Sequence, residues 1–397
     1  MRKLVIIFAL FIATIANAQE KKAEKNVYKN LSDKMLTSDS KLSIGGYGEV
    51  NYKQGFGGDT RYNGKLDVQR FVMMLGYKFN EKTSFVTELE FEHVKEVYVE
   101  QAFLQYKLNS NISLRGGLML TPMGITNEYH EPTSFNGVSR PSIDKYIAPT
   151  TWREIGVGII GYLPEANIKY QAYVMNGFNG FDDSAKFNAK NGFRKGRQKG
   201  AESFMSSPNL SAKVEYYGIK GLNLGLSGYF GDSQSKAYDG LDEDIPTNVK
   251  AADATVVGIS MLGADARYRN SGLELKAQYY YTSLSNTENY NMMVDAKDGK
   301  LGSSMTGYYA EAGYNVLRSF DSKLELVPFA RYEKWNTQNS MEGTAVTMDK
   351  YERTMITTGL TLKLARGAVV KTDVQFAKSA ADDKYATSFN AGIGIMF

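Results

Sequence analysis

Apolar and polar residues alternate with a period of two along most of the chain from Lys41 onward. In the stretch 71–79, Phe71, Met73 and Leu75 fall on one face, and smaller or polar residues fall on the other. This alternation is typical of β-strands whose two faces meet different environments. Each such stretch is about ten residues long, the length that a tilted strand needs to cross a membrane. The pattern recurs at 112–118, 168–174, 210–216, 222–227, 273–281, 324–333 and 371–376.

The connections between these stretches form two classes that alternate along the chain. Short turns lie near 80–82, 109–111, 164–167, 218–221, 270–272 and 365–367. Long polar connections cover 121–152, 176–208, 231–254, 283–305 and 336–350. A soluble β-sandwich also alternates, but outer-membrane barrels combine short turns at one rim with long loops at the other. The chain is therefore predicted to be all-β, a transmembrane antiparallel up-and-down β-barrel of about sixteen strands.

The two ends of the chain carry features that indicate export. Arg2 and Lys3 precede an apolar run and the small residues Ala16 and Ala18, which is the pattern of a cleaved signal peptide. The last predicted strand alternates up to Phe397, and this ending resembles the sorting signal that the barrel-assembly machinery reads. The predicted segments are a signal peptide at 1–18, a polar periplasmic leader that is mobile or briefly helical at 19–40, and the barrel at 41–397.

Composition excludes several classes of protein. The absence of cysteine excludes a lipidated cysteine and a disulfide framework. The 47 basic and 43 acidic side chains give no strongly basic surface, so no nucleic-acid partner is expected. Beyond the signal, no run approaches the roughly 18 apolar residues of a membrane-spanning helix. The only histidines are His93 and His130, and because nothing else in the sequence converges on either, no enzyme activity, cofactor or metal is predicted.

The connection 121–152 is the third one on the long-loop rim of the predicted barrel. It contains four of the chain's eight prolines and is therefore expected to be stiff. If it folds inward, its charged side chains narrow the lumen. The alternative is a solvated outer loop that packs against its neighbours. The predicted constriction residues are Glu128, His130, Glu131, Arg140, Asp144 and Lys145.

The next long connection, 176–208, carries a basic cluster flanked by glycines. At the mouth of a channel, such a cluster attracts anions, whereas the alternative is a flexible solvated loop near anionic lipopolysaccharide. A mixed set of charges is predicted on the lumen face of the strands, which favours a weakly selective, water-filled channel. The residues of the anion-attracting cluster are Arg194, Lys195, Arg197 and Lys199, and the predicted lumen residues include Arg70, Arg115, Arg331, Glu88, Glu90 and Glu92.

Several segments resemble the phosphate-selective porin (O and P) family. They are GYGE at 46–49, DVQRF at 67–71, EQAFL at 100–104, the loop 129–149 and PFARYE at 328–333. The resemblance is diffuse and spans most of the predicted barrel. It implies a sixteen-stranded homotrimeric porin whose lumen passes small solutes, which are inorganic phosphates in the best-known members.

The sequence thus predicts a passive diffusion channel in the outer membrane of a Gram-negative bacterium, with an anion or phosphate preference. Its expected partners are outer-membrane lipid, lipopolysaccharide, the barrel-assembly machinery through the strand ending at Phe397, small solutes or anions, and further copies of the chain in a trimer. A second hypothesis is a surface interaction barrel whose long loops bind a host, phage or glycan and close the lumen. Both hypotheses are consistent with the sequence.

Overall fold

The computed structural model of the chain describes residues 28–57, 62–293 and 299–397. The predicted signal peptide and residues 19–27 of the predicted leader lie outside this part. The strands are β1 (Leu42–Phe56), β2 (Lys65–Lys78), β3 (Thr83–Glu92), β4 (Glu96–Lys107), β5 (Ile112–Leu120), β6 (Arg153–Leu163), β7 (Ile168–Met175), β8 (Asn179–Phe181), β9 (Asn209–Tyr216), β10 (Leu222–Asp232), β11 (Gln234–Ser235), β12 (Gly258–Asn270), β13 (Leu273–Ser285), β14 (Ser304–Tyr314), β15 (Glu325–Ser340), β16 (Glu352–Ala365), β17 (Ala368–Ser379) and β18 (Ala386–Met396).

Sixteen of the described strands form one closed antiparallel barrel, and β8 and β11 form a separate two-stranded parallel sheet. Each barrel strand pairs with the barrel strands before and after it in the chain, and the barrel closes where β1 pairs with β18. The backbone N–H of Phe397 donates to the Gly46 carbonyl and extends this closing pair. The predicted all-β barrel of sixteen strands is confirmed.

The two faces of the barrel wall differ as the alternation predicts. On β13, Leu275, Tyr279 and Tyr281 are exposed on the outer surface, whereas Gln278 and Thr282 are buried inside. A side-chain period of two places alternate residues on opposite faces of the sheet. The outer surface therefore carries an exposed apolar belt, which suits contact with lipid more than with water.

The connections lie at two rims, as the turn lengths predict. One rim carries both ends of the barrel and mostly short turns. One connection at this rim, 315–324, is longer than the short turns predicted from the sequence. The other rim carries the long connections together with two short ones, 93–95 and 380–385. Below, loop 3 is 121–152, loop 4 is 176–208, loop 5 is 233–257 and loop 6 is 286–303. Loop 3 is the third connection at its rim, after 57–64 and 93–95, in agreement with its predicted position.

The helices of the described chain are short. No helix among them is long and apolar enough to cross a membrane. They are α1 (Leu31–Thr37), α2 (Ile143–Tyr146), α3 (Pro246–Asp253) and α4 (Thr287–Met293), together with the 3-10 turns Arg194–Gly196, Lys236–Tyr238 and Asp349–Tyr351.

Two apolar clusters occupy parts of the barrel interior. At the long-loop end, Trp152 of loop 3 packs against Phe178 and Tyr229, and Phe178 packs against further loop 4 aromatics. At the short-turn end, α1 contributes Leu31 and Met35 to a second cluster with inward-facing residues of β1–β7. The interior is therefore partly filled from both ends, and the open space lies between these clusters and the remaining wall.

Candidate functional site

Loop 3 folds into the barrel, and side chains of the wall hold its backbone. The Ile125 N–H donates to Gln278 Oε1 at 2.6 Å on β13, and the Val138 N–H donates to Asp373 Oδ2 at 2.6 Å on β17. Lys371 Nζ of β17 donates to the Phe135 carbonyl at 2.7 Å. Because β5 and β6, which flank the loop, lie far from β13 and β17 around the barrel, the loop crosses the lumen.

Loop 3 separates two cavities. The outer cavity, of about 380 Å³, lies on the long-loop side and is lined in part by residues of loop 4. The inner cavity, of about 450 Å³, lies on the short-turn side and extends to Arg366 in the turn between β16 and β17. Phe135 of loop 3 lines both cavities, and its ring lies 3.8 Å from Lys371 Nζ. A solute that crosses the barrel through these cavities passes this part of loop 3.

The outer cavity has twice as many cationic as anionic side chains in its lining. Arg70 lies within 4 Å of three of the four carboxylates: Glu49 at 2.8 Å, Glu90 at 3.1 Å and Glu92 at 3.7 Å. The other cations of the lining are therefore left without these partners. The lining cations are Lys53, Arg70, Arg140, Lys145, Arg153, Arg194, Arg197 and Lys199, and the lining carboxylates are Glu49, Glu90, Glu92 and Asp144.

The loop 4 cations in this cavity are held by groups without a net charge. Arg194 Nη1 and Arg197 Nη1 donate to the Thr150 carbonyl at 3.0 and 2.8 Å, and Lys199 Nζ lies 4.7 Å from the centre of the Tyr98 ring. Within the described residues, none of the three lies within 4 Å of a carboxylate. Burial, followed by repulsion from Arg194 and Arg153, lowers the pKa of Arg197.

The six predicted constriction residues lie in different surroundings. Arg140, Asp144 and Lys145 line the outer cavity, and Glu131 lines the inner cavity. Glu128 and His130 are buried and line neither, because Glu128 is paired with Lys213 at 2.7 Å and His130 faces the wall. The loop is thus inside the barrel, but only part of its predicted charge faces open space.

The predicted anion-attracting cluster is divided in a similar way. Arg194, Arg197 and Lys199 line the outer cavity, whereas the side chain of Lys195 is exposed and does not line it. Arg140 joins the three from loop 3, with its Nη2 donating to the His130 carbonyl at 2.8 Å. In the described chain, six cations of this lining have no carboxylate within 4 Å, namely Lys53, Arg140, Lys145, Arg194, Arg197 and Lys199. Four of them, Arg140, Arg194, Arg197 and Lys199, are named the cavity cations here.

The predicted lumen residues all lie on the inner side of the wall, where Arg70 contacts Glu90 and Glu92 and the others contact different polar side chains. Arg331 contacts Glu311 at 3.2 Å and Glu333 at 2.9 Å. Arg115 donates to Gln105 at 2.7 Å, and Glu88 lies in a buried group with His130. These contacts are between residues of the wall or between the wall and its inserts.

Part of the wall forms a buried network of paired charges under loop 3. Lys213 lies 2.7 Å from Glu128, 3.8 Å from Asp265 and 3.9 Å from Glu215. Glu215 also accepts from Arg267 at 2.5 Å. Asp33 of α1 joins this group through Lys169. The group is named the paired network and consists of Lys169, Lys213, Glu128, Glu215, Asp265, Arg267 and Asp33.

The segment 28–38, which includes α1, lies inside the barrel, a position that the sequence did not predict. Asp33 accepts from Lys169 at 3.0 Å, and the Leu31 N–H donates to Glu131 of loop 3 at 3.0 Å. These contacts place the segment inside the barrel, between the wall and loop 3. The sequence of β2 contains an indication of this segment. Val72 and Met74 are apolar and face inward, and inward apolar residues need a partner that shields them from water.

Cations outnumber carboxylates in the lining of the inner cavity as well. Arg267 lies with its guanidinium 4.4 Å from the Tyr28 ring centre and 4.2 Å from that of Tyr129, so it is held between the N-terminal segment and loop 3. The lining cations are Lys29, Lys34, Arg267, Arg269, Lys276, Lys323, Lys363 and Arg366, and the lining carboxylates are Glu131, Glu274 and Glu325.

A protein of Aquifex aeolicus (strain VF5), described only as uncharacterized, is 30% identical to the chain over 314 residues, which cover 76% of this chain and 67% of that protein. The chain belongs to the same family as this protein. No family model matches the chain. The resemblance to phosphate-selective porins therefore stays a prediction for this family.

Solved porins share the fold at low sequence identity. OmpF of Salmonella typhi has a TM-score of 0.57 at 15% identity, over 90% of this chain and 97% of that one. The anion-selective porin from Comamonas acidovorans has a TM-score of 0.56 at 12% identity, over 90% of this chain and 99% of that one. OprB of Pseudomonas putida has a TM-score of 0.55 at 8% identity, over 92% of this chain and 96% of that one. At these identities the likeness shows the fold: this family has a barrel of the outer-membrane porin type.

Proposed function

We propose that the protein is a porin of the outer membrane of a Gram-negative bacterium, a passive channel for small hydrophilic solutes and ions that prefers anions. The observation that carries this proposal is the outer cavity, where the cavity cations have no carboxylate within 4 Å in the described chain. The exposed apolar belt and the porin-type fold support the location. The resemblance stated above supports a homotrimer.

The charge arrangement supports an anion preference through the local field. A cation that bonds to a carbonyl keeps its net charge, and clefts lined by one sign of charge raise the local concentration of the opposite ion. Four cations of the inner cavity, Lys29, Lys34, Lys323 and Arg366, have no carboxylate within 4 Å in the described chain, and they extend this field beyond loop 3. Inorganic phosphate is the first oxyanion to test, because arginine side chains present several donors in a fixed geometry that matches its oxygens.

Two inserts narrow the proposed path. Loop 3 crosses the lumen between the two cavities, and the segment 28–38 fills the short-turn end beside β1–β7. We assign the constriction to both together, with Phe135 at the junction of the cavities. No chemistry takes place along this path in the proposed mechanism, since the solute moves down its own gradient.

The proposal is tested by the reversal potential of purified protein in planar bilayers under a KCl gradient. Wild-type channels should favour chloride, and changing the four cavity cations together to glutamine should move the reversal potential toward potassium. The reason is that rings of Arg or Lys set the charge preference of a pore. Added phosphate should reduce the chloride current of the wild type more than that of the variant.

A matched control changes four exposed lysines to glutamine, Lys65, Lys95, Lys250 and Lys384, which removes the same charge from sites outside the cavities. Its reversal potential should stay close to that of the wild type. Equal shifts in both quadruple variants would mean that total charge, and not the cavity, sets the preference. A cation-selective wild-type channel would contradict the anion preference and leave the porin proposal intact.

The second candidate is a surface binding barrel with a closed lumen. It is favoured by the apolar cluster around Trp152 and Phe178, which fills the long-loop end beside β10–β15, and by α1 at the other end. Folded wild-type protein that inserts into bilayers and gives no conductance steps would favour this candidate over the porin.

A further inference from the structure

One group of buried side chains has no part in the proposed conduction. His130 of loop 3 meets Glu88 of β3, Glu100 of β4 and Tyr47 of β1, and the four side chains are at most 3% exposed. None of the four is in the lining of the outer or the inner cavity. The potential ligand atoms of the two glutamates and the histidine all lie within 4.8 Å of one another. The group thus joins the most buried part of loop 3 to three neighbouring strands.

The orientation of the His130 ring directs one nitrogen at the carboxylates. Its Nδ1 lies 3.0 Å from the Asn127 carbonyl oxygen, which can only accept, so Nδ1 carries a hydrogen and donates. Its Nε2 lies 3.5 Å from Glu100 Oε2 and 3.6 Å from Glu88 Oε1. Charge-assisted hydrogen bonds between nitrogen and carboxylate oxygen are shorter, at about 2.7–2.9 Å. The buried Nε2 therefore faces both carboxylates at ion-pair distances that are longer than charge-assisted hydrogen bonds.

The spacing of these atoms matches that of ligands around one cation. Tyr47 Oη lies 2.8 Å from Glu88 Oε1 and 3.3 Å from Glu100 Oε2, the same oxygens that face Nε2. Nitrogen and oxygen ligands stand about 2.0–2.2 Å from a tetrahedral zinc ion, which places neighbouring ligands about 3.4 Å apart. The two distances from the histidine nitrogen to the carboxylate oxygens, 3.5 and 3.6 Å, lie close to that value.

Neighbouring side chains face the carboxylate oxygens that point away from the centre of the group, with a hydrogen bond to Glu88 and a longer ion pair to Glu100. Gln101 Nε2 donates to Glu88 Oε2, and Arg153 Nη1 lies 3.6 Å from Glu100 Oε1. Metal-binding histidines and carboxylates commonly have such outer partners, which fix the ligand atoms toward the metal. The arrangement leaves one oxygen of each glutamate and one nitrogen of the histidine directed at a common point.

We propose that this group binds one divalent transition-metal ion of the zinc type through His130 Nε2, Glu88 Oε1 and Glu100 Oε2, with Tyr47 Oη beside the fourth position. Two carboxylates balance the charge of such an ion, and one imidazole with carboxylates suits zinc, iron or manganese more than calcium or magnesium. The ion would fasten loop 3 to β1, β3 and β4. The site goes beyond the proposed conduction and does not depend on it.

The test uses the full chain refolded in detergent with Zn²⁺, followed by removal of loose metal and elemental analysis. Wild-type protein should retain about one zinc ion per chain. Glu100→Gln and His130→Gln should each lose it, because each removes a ligand. His93→Gln is the matched control, since His93 is the other histidine of the chain and is exposed at the long-loop rim. It should retain the wild-type amount.

Wild-type protein that retains less than about 0.1 zinc per chain would overturn the proposal, and so would His130→Gln protein that retains as much as the wild type. A second measurement needs no variant at the site. Wild-type protein refolded with Co²⁺ should show the visible absorption bands of tetrahedral cobalt, and addition of Zn²⁺ should remove them. Absence of these bands from folded protein that has been exposed to Co²⁺ would also overturn the site.

Discussion

The paired network under loop 3 and the cavity cations contain the same kinds of cationic side chain in opposite surroundings. Lys213 of the network has three carboxylates within 4 Å, whereas Arg197 of the cavity bonds to the carbonyls of Thr150 and Thr151. Both residues lie inside one barrel. What separates them is that carboxylates neutralise the charge of Lys213, while carbonyls satisfy the hydrogen bonds of Arg197 and leave its charge in place.

This difference shows why a count of charges along the strands does not predict selectivity. The strands supply roughly equal numbers of both signs, which indicates a mixed lumen. In the structure, the wall carboxylates Asp373, Glu333 and Glu311 accept hydrogen bonds from loop 3, and more cations than carboxylates line the two cavities. The proposed anion preference therefore depends on which charges remain unpaired once the inserts are anchored.

The largest expected effect comes from breaking the paired network. Lys213→Met leaves Glu128, Glu215 and Asp265 buried without this cation, and removal of one partner from a buried ion pair costs about 3–5 kcal/mol of unfolding free energy. Arg197→Met, a change of the same type in the cavity, removes hydrogen bonds to carbonyls and should cost about 1 kcal/mol. Denaturant unfolding in lipid vesicles, followed by the fluorescence of buried Trp152 and Trp335, measures both.

For ion selectivity in planar bilayers, the order of the two variants should be reversed. Arg197→Met should lower the anion preference, while Lys213→Met, where it folds, should leave it nearly unchanged. If both variants lost similar stability and similar selectivity, the distinction between paired and cavity cations would be wrong.

A second change removes α1 and should open the space that it fills beside the paired network. Deletion of residues 28–38 removes α1 together with Asp33, which lies 3.0 Å from Lys169 and 4.0 Å from Arg115. Single-channel conductance should rise about twofold, because the lumen of a sixteen-stranded barrel is wide enough for an aqueous channel once an insert is removed. The anion preference should rise as well, since Lys169 and Arg115 lose a carboxylate partner.

The variant Asp33→Asn separates charge from volume, because it keeps the helix and removes only the carboxylate. It should raise the anion preference with little change in conductance. A deletion variant that folds, as judged by its heat-modifiable migration on gels, and conducts like the wild type would show that the segment does not narrow the path.

The smallest expected effect needs no mutation. Raising the salt from 0.1 M to 1 M shortens the screening length from about 10 Å to about 3 Å, which should weaken the anion preference of the solvent-facing cavity cations. Buried pairs are screened much less, so the unfolding free energy should change little over the same range. A preference that is independent of salt would mean that anions are selected by a dehydrated contact and not by the field of the cavity.

The barrel itself could be predicted because its signals are local. Period-two alternation, short turns and the strand that ends at Phe397 each depend on neighbouring residues only, and counting turns placed loop 3 correctly at its rim. The pairs that decide the site are distant in sequence. Glu128 and Lys213 are separated by 85 positions, and Asp33 and Lys169 by 136. No periodicity in the sequence indicates which of these charges meet.

The position of α1 inside the barrel was missed for a different physical reason. The predicted leader is mostly polar, and its apolar residues Leu31 and Met35 are too few to indicate a buried helix by themselves. The clue lies in the partner surface, where Val72 and Met74 face inward. Loop 4 offers a similar clue, because a solvated loop has little use for a phenylalanine such as Phe178, which is fully buried in the structure.

The way in which loop 3 is anchored has a consequence for how the family can evolve. Gln278, Asp373 and Lys371 bind main-chain groups of the loop, and every amino acid offers a main-chain carbonyl and all but proline a main-chain N–H. Substitutions in the loop can therefore alter the side chains that a solute meets while the path of the loop stays the same. Relatives that pass different solutes can therefore arise by point substitutions in 121–152, while the wall residues that bind the loop stay the same.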